Sequence, residues 1–200
     1  MTSDRSIVSG DFQLTMDELR EVARYVMADA TDVLPVFEAA VPDDPRPRAA
    51  IEAARRFAEG AARTKLQRVT ALDAHRAARS APSEISRLAA RCAGDAASAA
   101  YLHPIADADQ VGHILRASAT TAHICELAGG GDPALADARL ERSRRSATPL
   151  LIDVVSRYPV AAGGRSRIAQ LMRRLDDLLR ADGRAAGESS AAYPDVVAGR

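Results

Sequence analysis

Apolar residues recur at helical spacing along most of the chain. Thr15 is followed three residues later by Glu18, the pattern of a capping box. Behind it Leu19, Val22, Val26, Ala30 and Val33 share one face. Pro35 is expected to break or kink this first helix, with Val36–Val41 adding a further turn. The stretch Pro42–Pro47 holds three prolines and reads as a connector. A second helix starts near Pro47, where a first-turn proline is tolerated, and carries Ala50, Ile51, Ala54, Phe57 and Ala58 before Gly60. A third presents Leu66, Val69, Leu72 and Ala77 as its apolar side and ends at about Arg79. Ser80 and Pro82 open a fourth, which runs to Leu102 or His103 before Pro104. The fifth covers roughly Asp107–Ala128, and its polar face is so narrow that it reads as a central helix. Asp132 caps a sixth with Pro133 at its first position, and Pro149 splits it, the second half reaching Tyr158. The last helix shows Ile168, Leu171, Met172, Leu175, Leu178 and Leu179.

These stretches predict an all-α fold, a single-domain bundle of about seven or eight helices over residues 14–181. Residues 1–13 read as a loose lead-in, and residues 182–200, small and polar from Gly183, as a second flexible end. No repeat of fixed period is present.

Composition agrees. Hydrophobic residues make up 47% of the 200, but much of that is alanine; aromatics are 4% and Trp is absent. Alanine favours helices and lets their backbones approach closely. Lys65 is the only lysine, so the basic charge is arginine, which fits either phosphate recognition or the codon bias of a GC-rich genome. Acidic and basic residues balance at 27 each, which gives no general field for nucleic acid. Cys92 and Cys125 stand apart on apolar faces and read as buried free thiols. No basic-then-apolar leader and no long uncharged apolar run are seen, so the expected compartment is the cytoplasm, without a membrane span.

The common catalytic signatures HExxH, GxSxG and GxxxxGK[ST] are absent. The most informative segment is Ala93–Leu115, with Asp95, His103, Gln110 and His113. On helical wheels Asp95 and His103 turn toward the apolar side of the fourth helix, and His113 sits at the edge of the apolar arc of the fifth. The tight turn at Pro104–Ala106 makes a hairpin in which Asp95 and His113 are offset by roughly 4.5 Å along the axis, so a cross-helix contact is expected. Three readings fit the cluster: a buried polar network, a groove for a partner or ligand, and a metal or acid–base site. The last ranks lowest, because no second carboxylate or close His pair accompanies it; no metal and no cofactor is expected. Asp73 should find Arg76 as its partner, and His75, beside Arg68 and Arg79, reads as a solvent-face residue. Arg165 and Arg167 open the last helix against its dipole, which hints at an acidic partner or an internal carboxylate.

The segments RPRAAIEAARRFAEG, ALDAHRAAR, AARCAGDAASAAYLHP, QVGHIL and GRSRIAQLMRRLDDLLR resemble an actinobacterial group of immunity proteins. That group is related to the helical immunity proteins of bacterial polymorphic-toxin systems. The resemblance covers roughly Leu14–Arg180. In the wider family an AAG pattern in the fourth helix is often followed by His, whereas Asp95 stands there in this chain. The resemblance implies a toxin–antitoxin setting: a non-enzymatic protein that binds and neutralises a cognate protein toxin. A homodimer is, separately, a further partner to consider. The rival reading is a small-molecule-binding protein or an enzyme using a His/Asp-lined groove. Candidate contact residues are Asp95, His103, Gln110, His113, Arg165 and Arg167.

Overall fold

In the computed structural model, which describes residues 7–191 and side chains to residue 188, the chain forms a bundle of eight α-helices with one small hairpin. The hairpin pairs β1 (Ile7–Ser9) antiparallel with β2 (Gln13–Thr15), Val8 opposite Leu14. The helices are α1 (Met16–Ala40), α2 (Arg46–Ala58), α3 (Lys65–Ser80), α4 (Glu84–Ser98), α5 (Ala108–Ala128), α6 (Pro133–Ser146), α7 (Pro149–Ser156) and α8 (Arg167–Ala191).

Local chemistry sets most of these boundaries. Thr15 with Glu18, Thr64 with Gln67, and Ser83 with Ser86 form reciprocal capping boxes at α1, α3 and α4. Asp107, Asp132 and Thr148 accept the first free N–H groups of α5, α6 and α7. Pro149 separates α6 from α7, as its place in the sequence suggested. Pro35 does not end α1: the helix runs through it to Ala40, held by the burial of Leu34 and Phe37 on either side.

The central helix is α5, which packs on α1, α4, α6 and α8. Its neighbour α4 is alanine-lined, and α3 and α1 lie close against it. That close approach explains a departure on α3. The side buried there is Ala71, Ala74, Ala77 and Ala78 with Gln67, while Leu66, Val69 and Leu72 remain 40%, 49% and 51% exposed. Alanines allow α3 to settle onto the small residues of α4, and the larger aliphatic side chains are left on the outer flank.

Both chain ends depart from the expected boundaries of 14 and 181. The lead-in carries the hairpin, anchored by fully buried Leu14. Its turn lies on the α4–α5 linker: Asp11 N–H donates to the Pro104 carbonyl at 2.8 Å, and Ala106 N–H donates to Asp11 Oδ2 at 2.7 Å. A side chain at Gly10 would meet the Pro104 oxygen at 2.4 Å, so only glycine admits this approach. At the other end α8 continues past Gly183, which packs against Ile152 of α7. Residues 1–6 and 192–200, which belong to the expected flexible ends, lie outside the described residues.

Candidate functional site

The site is built where α3, α4 and α5 meet. Gly94 on α4 leaves room for the His75 ring of α3; a Cβ there would stand 2.6 Å from the imidazole. His75 thus lies partly buried against α4, its Nε2 3.9 Å from Asp95 Oδ1, and not on a free solvent face as the sequence suggested. The Asp95 side chain is only 10% exposed and receives no hydrogen bond from the described residues. Burial lifts its carboxyl to about 6, against the opposing pull of Arg116 and Arg91. Burial, then the charges of Arg91, Arg116 and Arg79, hold His75 below the usual imidazole value.

A cavity of about 540 Å³ opens beside this pair. Four arginines line it, Arg79 from α3, Arg87 and Arg91 from α4 and Arg116 from α5, against the single carboxylate of Asp95. Arg87 is partly occupied by Glu84 at 3.3 Å. Arg79, Arg91 and Arg116 make no ion pair or side-chain hydrogen bond among the described residues, whereas most arginines elsewhere in the fold are paired.

A second cavity of about 340 Å³ shares His75, Asp95 and Arg116 with the first and continues the groove toward the α4–α5 linker. It is lined also by Arg68, Leu72, Tyr101, His103 and His113. The Arg63 and Arg68 guanidiniums lie over the Tyr101 ring at 5.4 and 4.8 Å, and Tyr101 Oη donates to the Thr64 carbonyl at 2.7 Å.

The four candidates from the Ala93–Leu115 segment therefore divide. Asp95, His103 and His113 share the second cavity, but no bond joins Asp95 to His113; the imidazole beside Asp95 is His75. Burial, then Arg116 and His103, keep His113 below the ordinary imidazole value. The fourth helix stops at Ser98 and closes with a 3-10 turn at Ala99–Tyr101, so His103 lies in an exposed linker and not on a helix face. Its backbone is fixed instead: its N–H donates to Gln110 Oε1 at 3.2 Å, and its carbonyl accepts from Tyr158 Oη at 3.0 Å. Gln110 thus serves the linker. Arg167 pairs with Glu126 of α5 at 2.8 Å, the internal carboxylate that its placement suggested, and Arg165 is exposed at the start of α8. Neither arginine lines the groove.

The arrangement holds charge but no poised nucleophile. Burial pushes the Cys92 thiol far up, and no group of three or more His, Cys, Asp or Glu among the described residues could hold a metal ion. A third cavity, about 410 Å³, lies between α7 and α8, where Arg180 pairs with Asp176 and Asp182 with Arg144, and Arg184 also lines it. No helix among the described residues is long and apolar enough to cross a membrane.

Residues 13–146 match the model of the family described as "Imm-5 like putative immunity protein", and the chain belongs to that family. The matched span takes in α1 to α6 and with them every residue of the α3–α4–α5 groove. Searches of the curated proteins and of the solved structures find no match.

Proposed function

We propose that this protein binds and neutralises a cognate protein toxin, without catalysis of its own, and that the α3–α4–α5 groove is the face that does so. The observation that carries the choice of face is the concentration of unpaired arginine charge there. In a chain whose acids and bases balance at 27 each, Arg79, Arg91 and Arg116 surround one opening without an ion pair among the described residues, with Asp95 as the one carboxylate beside them. Surface charge of one sign in a concave site steers a complementary partner and fixes its register. An interface of ordinary size buries on the order of 1,200–2,000 Å² in total, so the groove forms its centre and the surrounding surface of α3, α4 and α5 supplies the rest.

Growth tests the proposal. Each reading frame beside the gene is expressed alone and together with this chain in a neutral host. One frame is expected to arrest growth alone and to be relieved by the chain. If no frame is relieved, and no stoichiometric protein is captured from the native organism, the immunity reading fails. The rival, a small-molecule site, draws on His75, Asp95 and His113 lining one groove. Native mass spectrometry of the protein purified from its own host decides it: a retained small molecule displaced by His113→Ala would put that reading first.

A further inference from the structure

The groove is not only basic. The α3 flank beside it carries Leu66, Val69 and Leu72 one turn apart, each at least 40% exposed. Leu72 itself lines the second cavity, which shares Asp95 and Arg116 with the arginine pocket, so stripe and pocket are continuous. We propose that they form one docking surface for an acidic, amphipathic segment of the protein partner. Its carboxylates are held by Arg79, Arg91 and Arg116, and its apolar side chains lie on Leu66, Val69 and Leu72. This rests on the immunity reading for the identity of the partner as a protein toxin, and it adds the chemistry by which that partner is recognised.

Three features set that chemistry. Guanidiniums without partners offer forked donors that match carboxylate oxygens. The aliphatic stripe adds nothing to the binding of a free anion or of a nucleic-acid backbone, but it suits the apolar face of a helix or strand. Asp95, nearly buried and accepting no hydrogen bond, faces the same cavity. It is left to accept from an N–H or hydroxyl on the incoming segment, so a plain polyanion satisfies the pocket only in part.

The test uses the full chain and short labelled peptides in which Glu alternates with Leu and Ser, with matched peptides carrying Gln or Lys in place of Glu. Inorganic phosphate and adenosine monophosphate serve as free-anion probes. The Glu peptide is expected to bind and the Gln and Lys peptides not to. Arg91→Gln and Arg116→Gln should each weaken it about tenfold, and Leu72→Ser should weaken it with no change in melting temperature. Equal binding of the Glu peptide by the triple variant R79Q/R91Q/R116Q would overturn the proposal, as would no binding by the unmodified chain. Tight binding of phosphate or the nucleotide, lost in the triple variant while the peptide is ignored, would make this a free-anion site and also overturn it. Should the triple variant melt early, the single variants carry the test. The growth assay separates the two levels: if the triple variant relieves toxicity as well as the unmodified chain, the docking surface is wrong and the immunity reading stands. If the unmodified chain binds the Glu peptide but relieves no toxin, the surface stands and the immunity reading falls.

Discussion

Asp95 is the residue at which stability and binding pull apart. Its carboxyl, held at about 6, lies above the 3.8 of an unhindered aspartate, so between those values the folded protein keeps a proton that the unfolded chain releases. The contribution of Asp95 to stability is therefore fully present below about pH 4 and is lost as pH rises toward 6. Asp95→Asn removes the ionisation. It should be nearly neutral at pH 4 and stabilise by up to about 3 kcal/mol at pH 7, read by urea unfolding across that range. A gain that does not grow with pH would contradict the assigned environment. A residue that costs the fold and yet faces an open pocket fits a binding role better than a structural one. Gly94 belongs to the same scale: Gly94→Ala puts a methyl where the His75 ring lies, and should displace the imidazole, seen as a changed His75 proton shift with the helical circular dichroism intact.

At the scale of elements, α1 and α6 are joined by a buried pair absent from any sequence pattern. Arg139 bonds Asp29, and its other nitrogen reaches Asp32 at 3.0 Å. Ser143 donates to the same Asp29 carboxylate at 3.1 Å. Arg139→Ala leaves Asp29 buried without its counter-ion and should cost about 3–5 kcal/mol; a loss under 1 kcal/mol would show that Asp29 is served by Ser143 alone. Most helix starts were legible, because capping boxes and first-turn prolines are local chemistry. The faces were less so. On α3 the larger aliphatic residues defined the expected inner side, but the depth of an alanine-lined contact is decided by the neighbouring helix, and Leu66, Val69 and Leu72 were turned outward. His75 followed the same misplacement, since its burial depends on Gly94 of the facing helix. His103 was misplaced because a 3-10 turn ended α4 early. Asp95 and His113 line one cavity, yet a helical wheel carries no distance, and their contact did not form.

For the whole molecule, a zero net charge concealed how the charge is distributed. Twenty-seven bases balance twenty-seven acids, but among the described residues Arg79, Arg91 and Arg116 gather in one groove without an ion pair, opposite the single carboxylate of Asp95. Association through such a face should weaken as salt rises, because exposed charges are screened beyond roughly 10 Å at 0.1 M ionic strength. The most direct measurement is hydrogen exchange on the chain with and without the protein that the growth assay identifies as its partner. Binding through the α3–α4–α5 groove should slow exchange in residues 65–80 and 84–98 and spare α7 and α8. Protection confined to α7 and α8, with α3 and α4 unchanged, would contradict it.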